Sequence, residues 1–165
     1  MRGLAVRWRV ALPLLVLLTI LAPTLRGLAG GGFLPDLWLL VVLFLATPPP
    51  VSAWRQVVLL VAVAGLLRAS VTVVGPAVAW TGIGAGVLAR DLMFRMLRDD
   101  LVAMRLLTGL AAGLPLALLD LREAHRLGAA LTPTEAMVRV GILALLWALL
   151  RRPPRLTRWK EGVTP

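Results

Sequence analysis

One cation constrains this chain more than any other residue: Arg68 lies inside an almost unbroken apolar run, residues 56–89. Lipid tails cannot solvate a guanidinium, so Arg68 must face a protein interior, a water pocket or the bilayer surface. Most of the remaining chain consists of similar runs. Of its 165 residues, 59% are hydrophobic, and the mean hydropathy is +0.89. A transmembrane helix takes about 20 apolar residues, so five or six such helices with short connections consume residues 1–150. We read these as one all-α, polytopic integral membrane domain. Residues 151–165 are basic and proline-rich and read as a disordered cytoplasmic tail.

Six spans are expected. The first covers residues 10–25 and stops at the glycine-rich stretch 26–32. The second covers 33–46, with Pro35 suited to a first helical turn and Asp36 favoured at the positive end of a helix. Pro48, Pro49 and Pro50 end it. It barely reaches across a bilayer, so a thinned membrane or a re-entrant hairpin with the third span is the alternative to a sixth crossing. The third span covers 54–73, the fourth 76–94 and the fifth 101–119. A polar loop is expected over 120–131. Thr132, Pro133, Thr134 and Glu135 read as a capping box that opens the sixth span. The start of the chain resembles a signal peptide, with Arg2, Arg7 and Arg9 before an apolar stretch. Pro13, Pro23 and Arg26 argue against cleavage, and the segment is kept as the first span.

The net charge is +10, from 18 basic and 8 acidic residues. In a soluble domain this excess would suggest nucleic acid. Here the cations collect at the ends of apolar runs, where they meet lipid headgroups, so membrane lipids are the expected contacts and nucleic acid is not. With six spans, thirteen basic residues fall on the side of both termini and five on the other. That asymmetry places both termini in the cytoplasm. The chain has no cysteine, which removes disulfides, thiolate nucleophiles and Cys-ligated metals.

The rare polar residues each admit a functional and a structural reading. Arg68 can pair with an acidic residue or line a cavity that a partner or ligand enters. It can equally snorkel to the headgroups, since about 9 Å of helical rise separates it from the break at Gly75 and Pro76. An ionic bond to Asp36 or Asp120 is compatible with either. Asp99 and Asp100, beside Arg95, Arg98 and Arg105, read as a solvated loop, and His125 reads as an exposed loop residue. No spacing suits a catalytic set, a metal or a cofactor, and a non-enzymatic role is expected. Small residues recur at helix-packing spacing: Gly65 with Ala69, Gly82 with Gly86, and Gly109 with Gly113. They serve packing within the bundle or a partner helix, packing being the plainer reading.

The stretch from Pro35 to Ala46, then Gly65-Leu66-Leu67, the break at Gly75, the run Gly82 to Gly86 and a basic exit at Arg90 and Arg95 follow a familiar order. In this the chain resembles the rod shape-determining protein MreD family, as a divergent member. Members often carry an aspartate after the glycine-leucine run, where this chain has Arg68-Ala69-Ser70. The resemblance implies a non-enzymatic scaffold subunit of the cell-elongation machinery in the bacterial inner membrane. It also implies an MreC-like bitopic partner and contact with cell-wall synthases. Pro35, Asp36, Gly65, Arg68, Gly82, Gly86, Gly109 and Gly113 are the residues expected at helix-packing or partner contacts. The chain also resembles the substrate-binding subunits of energy-coupling-factor vitamin transporters. On that reading Arg68, Arg122, Glu123 and Arg126 would hold an anionic vitamin.

Overall fold

Among the described residues, six helices run alternately up and down between the two ends of a bundle, and the shortest of them lies at its centre. The computed structural model describes residues 8–28, 33–46, 54–96 and 101–150. They form α1 (Trp8–Leu28), α2 (Leu37–Leu45), α3 (Trp54–Val71), α4 (Pro76–Met96), α5 (Val102–Arg126) and α6 (Pro133–Leu150). All but α2 are long and apolar enough to cross a membrane. The chain is thus a multi-pass, all-helical membrane protein.

Antiparallel packing of α4 with α5 and of α5 with α6 supplies the most extensive contacts. Lipid tails are as apolar as leucine, so such seams are held by close packing rather than by expulsion of water. Glycine makes it possible here. A Cβ on Gly86 would lie 2.5 Å from the Ala112 carbonyl oxygen, and one on Gly109 would lie 2.7 Å from Ala144 Cα. Gly82 meets Leu116 of α5, and Gly113 meets Val140 of α6. Gly65, on α3, accepts the indole of Trp80, whose Nε1 donates to the Ala62 carbonyl at 2.9 Å. The small-residue pairs therefore pack within the bundle.

The helix ends follow their sequence signals, with one exception. The Glu135 amide donates to the Thr132 hydroxyl at 3.2 Å, and the Thr132 amide donates to the Glu135 carboxylate at 2.9 Å. This is the expected capping box. The exception is α5, which does not stop at Leu119. It continues through Asp120 and His125 to Arg126, so most of the expected polar loop is helix. Its stop is Gly128, at φ +68, where the Gly128 amide bonds to the His125 carbonyl and the Ala129 amide to that of Ala124. That reciprocal pair is a Schellman motif, which requires a left-handed residue that glycine supplies without strain. Polarity alone did not end the helix because leucine, alanine, arginine and glutamate all favour it.

The second span is also corrected. Its helix has nine residues, starts after Asp36 rather than around Pro35, and at ~1.5 Å per residue is about 14 Å long. That is about half the hydrocarbon thickness of a bilayer. The helix is tolerated because it is enclosed: Trp38, Leu39, Leu40, Val42 and Leu43 are buried, against α1, α3, α4 and α6. Its neighbour α3 is itself long and apolar enough to cross a membrane. The first helix is longer than expected at both ends and reaches Leu28. The tail 151–165 and the Asp99–Asp100 pair lie outside the described residues.

Candidate functional site

A short helix at membrane depth exposes four unbonded N–H groups at one end and four unbonded C=O groups at the other. Lipid cannot satisfy them, and each costs several kcal/mol if left alone. In α2 both ends are held by charged side chains of the sign that the helix dipole favours.

At the N-terminal end, Asp36 is the cap. Its Oδ1 accepts from the Leu39 amide at 2.8 Å, and its Oδ2 accepts from Arg68 Nε at 2.5 Å. Arg68 reaches across from α3 and also donates through Nη2 to Asp120 Oδ2 on α5. One planar guanidinium thus ties three helices through two carboxylates, a use that its fork of donors suits and an ammonium would not. Arg68 is 3% exposed, so the snorkelling reading is overturned. The deciding factor is register: Asp36 and Asp120 stand level with it, and a buried ion pair satisfies the cation nearer than the headgroups can. Thr72, one turn on, donates its hydroxyl to the Arg68 carbonyl at 3.0 Å.

At the C-terminal end, Arg90 of α4 plays the opposite part. Its Nη1 donates to the Leu43 carbonyl at 2.7 Å and to the Ala46 carbonyl at 2.5 Å. Its Nε and Nη2 both donate to Asp91 Oδ1, at 2.8 and 2.6 Å. In sequence Arg90 reads as part of a basic exit from the membrane, yet it is 1% exposed. A signal was present. Gly82, Gly86 and Arg90 follow one another at intervals of four, which places the arginine on the packed face of α4. Aromatic rings close this end, with Phe44 4.9 Å and Phe94 6.3 Å from Trp147, centroid to centroid. Arg105, counted in sequence as a surface charge, is buried too and donates to the Ala148 carbonyl near the end of α6 at 3.1 Å.

The Arg68 cluster does not fill the space beside it. A cavity of about 300 Å³ lies between α2, α3, α5 and α6, lined by Asp36, Arg68, Asp120, Thr72 and Arg139 on its polar side. The connections at Pro35, Val74 and Leu131 frame it at the same end of the bundle. Of the residues singled out in sequence, Pro35, Asp36, Arg68 and Gly113 meet around this cavity, whereas Gly65, Gly82, Gly86 and Gly109 lie in the helix seams. Arg139 was not singled out. It joins the site because Val140, its neighbour, faces Gly113 across the seam. Arg122 and Arg126 are exposed, and Arg126 pairs with Glu123 at 3.0 Å, away from the Arg68 cluster. Among the described residues, no group of three His, Cys, Asp or Glu side chains is placed to hold a metal ion.

Comparison of the chain with family models, with curated proteins and with solved structures finds no match. The fold and the site define a class, a multi-pass helical membrane protein built around a short, doubly capped interior helix.

Proposed function

We propose that this protein is a non-catalytic scaffold subunit of the bacterial cell-elongation machinery, in the inner membrane with both termini cytoplasmic. Its partners on this reading are an MreC-like bitopic membrane protein and cell-wall synthases. The observation that supports it most is the role of α2. The stretch 35–46, one of those on which the resemblance to MreD rests, is the hub that four other helices contact, and paired charged side chains hold both its ends. A bundle fixed in this way presents a constant outer surface, which suits helix–helix recognition in lipid. Gly65, Gly82, Gly86, Gly109 and Gly113 are committed inside the bundle, so a partner helix would not meet a groove formed by these glycines.

The cavity beside Arg68 favours a second reading, the substrate-binding subunit of a transporter. The form of that reading with Arg122, Glu123 and Arg126 as ligands loses support, because those residues stand apart from Arg68. Native mass spectrometry of the chain purified from its own host in mild detergent separates the two. A single-span protein or a cell-wall synthase at fixed stoichiometry is expected. A complex with ATP-binding subunits and a bound small molecule would overturn the scaffold reading.

A further inference from the structure

The cavity at the Arg68 end carries both signs of charge in its lining. Asp36 and Asp120 contribute two carboxylates, Arg68 and Arg139 two cations, so the four ionisable groups sum to zero. An anion or a cation alone would find as much repulsion as attraction there. Two hydrogen-bonding atoms of the cluster are left over. Arg68 Nη1 and Asp120 Oδ1 are buried without a hydrogen-bond partner, one a donor and the other an acceptor. Apart from Thr72, the rest of the lining is largely apolar and includes Trp38, Val71 and Leu143. The volume is at the lower end of ligand pockets, which run from about 300 to 1,000 Å³.

We propose that this cavity binds a zwitterion, an ammonium joined to a phosphate or carboxylate, with its ammonium at the carboxylates and its anionic group at the arginines. The assignment is independent of the scaffold reading. A soluble amino compound and the headgroup of a zwitterionic lipid share this chemistry, and the position of the cavity at one end of the bundle admits both.

The full chain in mild detergent, unfolded by heat and followed by tryptophan fluorescence, provides the test. Phosphoethanolamine at a hundredfold excess over its Kd is expected to raise the melting temperature by about 5–10 °C. Ethanolamine alone and inorganic phosphate alone are expected to have no such effect. If the source is lipid, nanodiscs of phosphatidylethanolamine will give the shift relative to phosphatidylglycerol, and the soluble compound will not. Ala117→Phe puts a ring into the cavity in place of a lining methyl group and is expected to abolish the shift. Arg139→Gln, a milder change, is expected to weaken binding roughly tenfold, as loss of one charged contact does. Stabilisation by neither source, an equal shift with phosphate alone, or a full shift in Ala117→Phe would overturn the proposal.

Discussion

Asp36 and Arg90 hold opposite ends of the same nine-residue helix, the carboxylate at the N-terminal amides and the guanidinium at the C-terminal carbonyls. Each is matched by a counter-charge from a spanning helix, Arg68 for the first and Asp91 for the second. The charge that caps each end of α2 is thus countered by a side chain of opposite sign. Its stability therefore depends on pairs rather than on single residues.

Asp36→Ala removes a cap and half of an ion pair together. The cap contributes about 1 kcal/mol, and breaking a buried pair costs about 3–5 kcal/mol. Asp36→Asn keeps an acceptor for the Leu39 amide and is expected to lose less. Equilibrium unfolding in mixed micelles should rank wild type above Asn above Ala. Equal losses in the two variants would mean that the charge, not the cap, dominates.

Arg90→Ala leaves the Asp91 carboxylate and the carbonyls of Leu43 and Ala46 unpaired, and a loss of about 3–5 kcal/mol is expected. Adding Asp91→Asn should recover part of it, because the orphaned charge is removed while the carbonyls stay unbonded. A double-mutant cycle is expected to give a coupling of about 1–3 kcal/mol. Strict additivity of the two changes would contradict the pairing.

Two glycines make a matched contrast. Gly86→Ala drives a methyl group against the Ala112 backbone and is expected to cost about 1–3 kcal/mol as α4 and α5 separate. A Cβ on Gly141 meets nothing within 4 Å, so Gly141→Ala should change stability by no more than about 0.5 kcal/mol or raise it slightly. The same unfolding measurement checks both, and comparable losses at the two positions would count against the seam.

Trp147→Ala should cost about 3–5 kcal/mol, as large aromatic deletions in packed interiors do. The indole is 1% exposed and stacks in a tilted fashion on Phe44 of α2. Trp147→Phe keeps a ring against Phe44 and should lose less. Melting of the purified variants decides between a packed and a loosely filled end of the bundle.

Much of this architecture was legible in sequence. Apolar run lengths give five of the helices, and the Thr132–Glu135 box gives the start of α6 to the residue. The glycine pairs mark the seams because spacing by four fixes a helix face whatever the neighbour is. Asp36 and Asp120 were legible as candidate partners of Arg68; that both engage it at once, and that the pairing buries it, was not. Asp36 is 32 residues away and Asp120 is 52, and only the relative register of three helices brings them level. Arg90 and Asp91 were misread for a related reason. Their position near the end of an apolar run looks like an exit, and what keeps them inside is the shortness of a different helix. The cavity is less legible still, since it is defined by where four helices fail to meet.

The double capping of α2 also sets an order of assembly. Its N-terminal partner Arg68 and its C-terminal partner Arg90 are synthesised after it, 32 and 44 or more residues downstream. Until α3 and α4 are in place, a nine-residue segment has neither the length to span lipid nor the partners to close its ends. The stretch that becomes the centre of the bundle is thus among the last to settle, and the outer helices form the mould in which it sets.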